Sequence, residues 1–132
     1  MGPENEVIYV VDDDATVREG LSSLLRAKGK DVQSFACGTE FLKLQRKDTA
    51  ACLILDLKMP GMNGLQLQSQ LAAAGRRIPI IFITAYDSQE SRRRALRAGA
   101  VAFLAKPFTD HQLLKTIRSA VQPDEGGTKN RA

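Results

Sequence analysis

Short apolar runs alternate along this chain with segments of helical spacing, and no other feature of the sequence constrains the fold as strongly. Residues 7–11 read Val-Ile-Tyr-Val-Val, a run that suits a strand covered on both faces. From Ala15 the apolar residues follow helical spacing as far as Gly29, a suitable C-terminal cap. The alternation continues to residue 121 and gives five strands and five helices. It predicts a parallel sheet with helices on both faces.

The later elements are predicted from shorter signals. Thr39 is the predicted cap of a short second helix, and Thr109 and Gln112 match a capping box at the start of the last helix. Residues 88–98 are helical in propensity, but Leu96 is their one substantial apolar anchor, so this helix should be held less tightly than its neighbours. The remaining strands are predicted at residues 32–35 (at a sheet edge), 51–55, 78–83 and 101–105, and the third helix at residues 64–74.

A length of 132 residues predicts one domain with a single core. We place this domain at residues 1–121 and a linker or disordered tail at residues 122–132, where the composition becomes polar and glycine-rich. No apolar run approaches the roughly 18 residues that a membrane span needs, and the N-terminus does not resemble a signal peptide. The sequence therefore predicts a cytoplasmic protein without a membrane segment. Cys37 and Cys52 lack metal-ligand spacing and are predicted to be free, structural thiols.

The net charge of +4 raises the question of nucleic-acid binding. The excess lies mostly in one segment, at Arg92, Arg93, Arg94 and Arg97, and no aromatic residue is interleaved with these arginines. We interpret the cluster as a solvated or protein-docking helix face. The sequence predicts no direct nucleic-acid binding by this domain.

An apolar run ends abruptly at Asp56, and Pro60, Gly61 and Gly64 prevent the strand from continuing. Asp56 therefore lies at the mouth of a buried strand. By itself such an aspartate is either a cap or hinge residue or the reactive group of a site.

Three of the other four predicted strands are also followed by polar residues. Asp12 and Asp13 follow the first strand, Thr84 the fourth and Lys106 the fifth. Ligands of open parallel sheets bind beyond the carboxyl ends of the strands, near the point where the strand order reverses. We therefore expect these four residues to lie close to Asp56 at one edge of the sheet.

This set of residues suits phosphoryl transfer. The carboxylates of Asp12, Asp13 and Asp56 repel one another unless a cation is present, and their hard oxygen atoms suit Mg²⁺. Lys106 adds a positive charge for an anion, and Thr84 adds a neutral hydroxyl group. A carboxylate nucleophile beside a metal and a lysine is one solution for phosphoryl transfer, which depends on positioning and charge neutralisation.

Four short motifs over residues 7–121 resemble the receiver domains of two-component response regulators. The resemblance implies a flavodoxin-like (βα)5 doubly wound α/β fold with strand order 2-1-3-4-5. The segment Met59-Pro60-Gly61-Met62-Asn63-Gly64 and the ending Lys106-Pro107-Phe108 look most similar to nitrogen-fixation-type regulators of the LuxR family. The motifs are Val11-Asp12-Asp13, Asp56-Leu57-Lys58-Met59-Pro60-Gly61, Thr84-Ala85 and Lys106-Pro107-Phe108.

The resemblance implies a role for each matched acidic residue. Asp56 would be the phosphoacceptor, taking its phosphoryl group from a phosphohistidine of a sensor histidine kinase. Asp12 and Asp13 would hold Mg²⁺ together with Asp56 and the backbone carbonyl of Lys58. The side chains of Lys58 and Tyr86 would tune the access of the hydrolytic water and so the lifetime of the phosphoryl group.

The same resemblance implies the parts of a switch. Lys106 would contact a phosphoryl oxygen, and its peptide bond to Pro107 would be cis. Thr84 would move inward to bond the phosphoryl group, and Phe103 occupies the aromatic position that rotates inward with it.

The implied function is a phosphorylation switch of a dimerisation or output-docking face, in control of transcription. The chain would act with a sensor histidine kinase, with an output DNA-binding domain in cis if it is a fragment, and as a phosphorylation-dependent homodimer. It would not be an enzyme beyond assisting its own phosphorylation and slow dephosphorylation.

The alternatives are a receiver-like interaction module that needs no phosphorylation, an aspartyl-phosphate hydrolase that depends on Mg²⁺, and a nucleotide-binding flavodoxin-like protein. Lys58 disfavours the hydrolase, because such enzymes commonly have a second acid two residues after the nucleophile. The nucleotide-binding protein is disfavoured because no glycine-rich phosphate loop follows the first strand.

Overall fold

Five parallel strands form one sheet in the computed structural model, which describes residues 6–44 and 50–121. The strands are β1 (Val7–Val11), β2 (Asp31–Phe35), β3 (Ala50–Asp56), β4 (Ile80–Thr84) and β5 (Ala102–Ala105). The helices are α1 (Ala15–Ala27), α2 (Gly38–Leu42), α3 (Gly64–Ala73), α4 (Gln89–Arg97) and α5 (Asp110–Val121). The strand order is β2-β1-β3-β4-β5, with every neighbouring pair parallel. The flavodoxin-like fold and the edge position of the second strand are confirmed.

Two apolar layers cover the two faces of the sheet, because successive side chains of each strand point to opposite faces. In β1, Tyr9 and Val11 belong to the layer under α2, α3 and α4, whereas Ile8 and Val10 belong to the layer under α1 and α5. All five residues of β1 and all five of β4 are buried. The continuous apolar runs in the sequence thus correspond to strands covered on both faces, as predicted.

Most element boundaries differ from the predicted ones by one or two residues. The predicted strand at residues 78–83 begins instead at Ile80 and extends to Thr84. Pro79 lies just before β4 and contributes only its carbonyl oxygen, which accepts a hydrogen bond from the Leu53 N–H at 2.8 Å. The missing N–H of proline explains its place outside the strand.

Side chains cap several helices. Asp14 caps α1 and accepts hydrogen bonds from the backbone N–H groups of Thr16 and Val17. The capping box predicted at Thr109 and Gln112 is present, with reciprocal bonds of 2.8 and 2.9 Å. A second capping box, formed by Asn63 and Gln66 at the start of α3, was not predicted.

The predicted cap of the second helix is wrong. This helix begins at Gly38, so Thr39 is already a helical residue, and Cys37 is the N-cap without a side-chain hydrogen bond. Cys37 and Cys52 are free thiols, as predicted. Burial raises the pKa of the Cys52 thiol to about 12, which fits a structural thiol.

The predicted anchor of α4 is also wrong. Leu96 is 42% exposed, and Ala95 is the residue of this helix that is buried. The amide nitrogen of Gln68 in α3 donates a hydrogen bond of 3.2 Å to the carbonyl oxygen of Ala95. The prediction that this helix is lightly anchored agrees with its single buried residue.

Within residues 6–44 and 50–121, no helix is long and apolar enough to cross a membrane. The linker predicted at residues 122–132 lies outside the described residues.

Candidate functional site

The carboxyl ends of the strands place the predicted site residues at one edge of the sheet. Asp12 directly follows β1, Asp56 and Thr84 are the last residues of β3 and β4, and Lys106 directly follows β5. The backbone N–H of Lys106 donates a hydrogen bond of 2.7 Å to the carbonyl oxygen of Thr84, which ties the last two strand ends together. The predicted juxtaposition of these groups is present.

Three carboxylates form an acidic cluster at this edge. Asp12, Asp13 and Asp56 each offer one oxygen atom, and these three atoms lie within 4.8 Å of one another. Asp12 and Asp56 are buried and Asp13 is exposed, so the cluster opens to solvent on one side. A set of hard carboxylate oxygens with an open side suits Mg²⁺, which keeps several waters or phosphate oxygens among its ligands.

Asp12 is the fixed centre of the cluster, since its side chain is fully buried. One carboxylate oxygen accepts the N–H of Asp14 at 2.9 Å, and the other accepts a hydrogen bond from Nζ of Lys106 at 3.2 Å. The Arg18 guanidinium donates to the backbone carbonyl of Asp12 at 2.8 Å. The ammonium group of Lys106 is thereby held beside the acidic cluster, where it can meet an anion.

Asp56 is only 5% exposed, and one of its carboxylate oxygens accepts the N–H of Lys58 at 3.3 Å. Burial is the main cause that raises its pKa to about 7, and the charges of Asp12 and Asp13 raise it further. Lys106 and the hydrogen bond from Lys58 act in the opposite direction without cancelling these effects. The ionised form of Asp56 therefore destabilises the folded protein unless a cation compensates its charge or a phosphoryl group is attached to it.

We expect Asp56→Asn to stabilise the metal-free protein in a pH-dependent manner. The pKa of Asp56 is raised by folding from 3.8 to about 7, so its ionisation lowers the free energy of unfolding as the pH rises between these values. The full shift corresponds to about 4 kcal/mol, which we halve to about 2 kcal/mol because solvent at the open side screens the charges. Urea unfolding in EDTA should show this difference at pH 8 and almost none near pH 4.

Asp14→Asn is the matched control, because Asp14 is exposed and asparagine caps a helix about as well as aspartate. Its free energy of unfolding should differ little from wild type at either pH. A variant Asp56→Asn that is no more stable than wild type at pH 8 would contradict the raised pKa.

The two predicted switch residues are buried beside the site. Thr84 is fully buried, and its hydroxyl oxygen accepts the N–H of Tyr86 at 2.9 Å. Phe103 in β5 is 7% exposed and faces the layer under α4, with its ring centroid 6.3 Å from that of Phe82. The aromatic residue thus has its ring directed inward in this structure.

The mouth of the site is flanked by the two residues predicted to tune phosphoryl lifetime. Nζ of Lys58 lies 5.6 Å from the centroid of the Tyr86 ring, and Tyr86 is 66% exposed. The peptide bond between Lys106 and Pro107 is cis, as the resemblance implied. His111 is exposed and lies in the first turn of α5.

Three residues that shape the site were not assigned this role from the sequence. Arg18 braces the backbone at Asp12, Gly64 lies against the end of β3, and Arg92 covers the ring of Phe103. The role of Gly64 could have been predicted from the sequence, since a glycine at the first position of a helix suggests close approach of another backbone. The roles of the two arginines could not, because neither the bond from Arg18 to the Asp12 carbonyl nor the contact of Arg92 with the Phe103 ring follows from a local sequence pattern.

Comparison with known proteins agrees with this arrangement. The profile of the response regulator receiver domain family matches residues 8–118. The chain is 44% identical over 122 residues to the response regulator protein TmoT of Ectopseudomonas mendocina, covering 92% of this chain and 56% of that protein. It is 43% identical over 122 residues to the response regulator protein TodT of Pseudomonas putida, covering 92% of this chain and 54% of that protein. The chain thus spans about half the length of these curated relatives.

Solved structures show the same fold. The response regulator StyR superposes with a TM-score of 0.84 at 44% identity, over 96% of this chain and 64% of that one. The structure described as FixJ-N superposes with a TM-score of 0.79 at 30% identity, over 89% of this chain and 94% of that one.

Proposed function

The chain belongs to the family of response regulator receiver domains, and from this premise we propose that it is a switch operated by phosphorylation of Asp56. Domains of this family are signalling domains. The observation that supports the proposal most is the position of the Asp56 carboxylate, which is buried among Asp12, Asp13 and Lys106 at the edge where the strands end.

In the proposed reaction, a carboxylate oxygen of Asp56 attacks the phosphorus atom of a phosphohistidine. The bond between phosphorus and the imidazole nitrogen breaks, the acyl phosphate forms on Asp56, and the imidazole leaves with the electron pair and takes up a proton from water. The Lys106 ammonium, held 3.2 Å from Asp12, lies where it can neutralise an oxygen of the transferred group. The hydroxyl group of Thr84 would bond the phosphoryl group after the hydrogen bond that it accepts from the Tyr86 N–H has broken.

Mg²⁺ would be held by the carboxylates of Asp12, Asp13 and Asp56 and the backbone carbonyl of Lys58, and it would neutralise charge that develops on the phosphoryl oxygens. The removal of the phosphoryl group by water would be slow. Lys58 and Tyr86 would tune the access of that water to the acyl phosphate, since Nζ of Lys58 lies 5.6 Å from the centroid of the Tyr86 ring.

The proposed partners follow from the family. A sensor histidine kinase would supply the phosphoryl group, and an output DNA-binding domain would follow in cis, with residues 122–132 as the linker after a receiver domain at residues 1–121. The exposed arginines of α4, Arg93, Arg94 and Arg97, would belong to a face that docks this domain or forms a phosphorylation-dependent homodimer. The protein would act in the cytoplasm in the control of transcription, without direct contact between this domain and nucleic acid.

The narrower assignment to nitrogen-fixation-type regulators of the LuxR family is not confirmed. The transcriptional regulatory protein FixJ of Bradyrhizobium diazoefficiens is 35% identical over 125 residues, covering 95% of this chain and 61% of that protein. TmoT shares a higher identity of 44%. The narrower assignment therefore stays a prediction.

Acetyl phosphate tests the proposed reaction directly. We expect the wild-type protein to gain the mass of one phosphoryl group in the presence of Mg²⁺, and to gain it much more slowly in EDTA, because the charge of the acidic cluster is then uncompensated. Intact-mass spectrometry measures the adduct, and treatment with hydroxylamine, which cleaves acyl phosphates, should remove it.

Asp13→Asn and Asp14→Asn make a matched pair for this experiment, since both residues are exposed but only Asp13 belongs to the acidic cluster. The first variant should need a higher Mg²⁺ concentration for the same rate, whereas the second should match wild type. A wild-type protein that forms no adduct would favour an interaction module that needs no phosphorylation. Rapid repeated turnover of unrelated phosphoesters would favour a hydrolase.

A further inference from the structure

Arg92 differs from the other arginines of α4, because its guanidinium group lies over the sheet. The central carbon of this group is 4.8 Å from the centroid of the Phe103 ring. Cations within about 6 Å of an aromatic face are attracted by it. The same group donates hydrogen bonds of 3.3 and 3.5 Å to the carboxylate of Asp87, in the loop before the helix. One side chain thus connects α4 with β5 and with the segment that follows Thr84.

Few other contacts hold this helix. Of its nine residues, Ala95 is the only one that is buried. The hydrogen bond from Gln68 to the Ala95 carbonyl fixes the second half of α4 to α3. In the first half, the Arg92 side chain contacts another element, at the Phe103 ring of β5. We take this contact as one attachment of that half to the sheet.

The partners of Arg92 lie next to the proposed switch. Phe103 is the aromatic residue assigned to the switch, and Asp87 is three residues beyond Thr84 in the sequence. The ring of Phe103 has the ring of Phe82 on the neighbouring strand beside it, at 6.3 Å between centroids, and the Arg92 guanidinium over it at 4.8 Å. An outward rotation of the ring would have to displace the guanidinium group or break its contact.

We infer that Arg92 is a positioning residue that holds Phe103 inward and holds the first half of α4 on the sheet, and that this contact favours the phosphorylation of Asp56. The second part of the inference rests on the proposed function. A protein that already populates the inward arrangement has a larger fraction of molecules ready for the phosphoryl group, so loss of the contact lowers that fraction. Arg92 then does not belong to the docking face of α4.

Arg92→Met tests the inference, since methionine keeps an unbranched apolar side chain and removes the charge. We expect adduct formation from acetyl phosphate to slow by about twofold to fivefold, the factor that corresponds to a partly exposed cation–π contact. Arg92→Lys retains a cation and should recover much of the rate. Arg93→Met is the matched control, because Arg93 is exposed on the same helix.

A second measurement reports the contact without any phosphoryl donor. The chain has five phenylalanines, and in protein labelled with fluorophenylalanine the ¹⁹F resonance of Phe103 is identified by its loss in Phe103→Leu. In Arg92→Met this resonance should shift or broaden, and the amide hydrogens of α4 should exchange faster. Arg92→Lys and Arg93→Met should resemble wild type. Mere destabilisation of the fold would move all five resonances.

The outcomes are distinct. An unchanged Phe103 resonance in Arg92→Met, or an equal change in Arg93→Met, overturns the inference. A shifted resonance with an unchanged rate of adduct formation overturns the link to phosphorylation. If the resonance shifts and no protein forms an adduct, wild type included, the proposed function fails while the role of Arg92 in holding Phe103 stands.

Discussion

Asp56→Asn is expected to abolish the phosphoryl adduct completely, in contrast to the partial effects of changes elsewhere in the site. Asparagine has nearly the same shape, so the fold and its burial should persist, but its amide cannot act as the nucleophile that forms an acyl phosphate. Incubation with acetyl phosphate and Mg²⁺, followed by intact-mass spectrometry, measures the effect. In the absence of metal and above neutral pH, the variant should also be the more stable protein, so a failure to fold would not explain the loss.

Lys106→Met separates the loss of the nucleophile from the loss of a supporting charge. Lys106 touches Asp12 but does not carry the phosphoryl group in the proposed reaction. The variant should still form the adduct on Asp56, at a lower rate.

Survival of a hydroxylamine-sensitive adduct in Asp56→Asn would show that another carboxylate is the acceptor, and the proposed role of Asp56 would be wrong.

Gly64→Ala is expected to lower the free energy of unfolding by about 3 kcal/mol, the upper part of the range for overpacked interiors. A Cβ atom at Gly64 would lie 2.6 Å from the carbonyl oxygen of Asp56, 2.8 Å from a ring carbon of Phe82 and 3.0 Å from Cα of Leu57. Two of these three neighbours are backbone atoms, which cannot move away as the end of a flexible side chain can. The helix is also held in place, because the Gly64 N–H donates to the Leu57 carbonyl at 2.9 Å.

Gly20→Ala is the matched control for this substitution. Gly20 lies within α1, and a Cβ atom there would meet nothing within 4 Å. Alanine in a helix interior should therefore stabilise the protein by about 0.5–1 kcal/mol. Urea unfolding of the two variants measures the difference. If both substitutions have the same effect, Gly64 does not lie as close to the end of β3 as the structure has it.

The sequence is informative about this site because polar residues stand out where apolar strands end. The runs before Asp12, Asp56 and Thr84 predict buried parallel strands, and parallel strands bring their carboxyl ends to one edge. The order of the strands came from the family resemblance, since the apolar pattern alone does not determine which strand lies beside which. The pattern also cannot report the 3.2 Å contact between Lys106 and Asp12, which joins opposite ends of the chain.

The prediction failed where local pattern and tertiary packing compete. Leu96 is the most apolar residue of α4, yet the helix is turned so that Ala95 is buried, and the Gln68 side chain bonds to the Ala95 carbonyl. Thr39 is a good cap by type, yet the chain already turns into the helix at Gly38. The arginines of α4 look alike in the sequence, and the position of Phe103 on β5 is what distinguishes Arg92.

The ion pair between Lys106 and Asp12 joins residues that are 94 positions apart. During synthesis, the acidic residues at the carboxyl ends of β1 and β3 leave the ribosome before the lysine that follows β5. A growing chain therefore lacks the charge that would assist the phosphorylation of Asp56, and the sheet lacks its edge strand β5 until the end of synthesis. In the proposed pathway, an unfinished copy of this protein would accept the phosphoryl group only slowly.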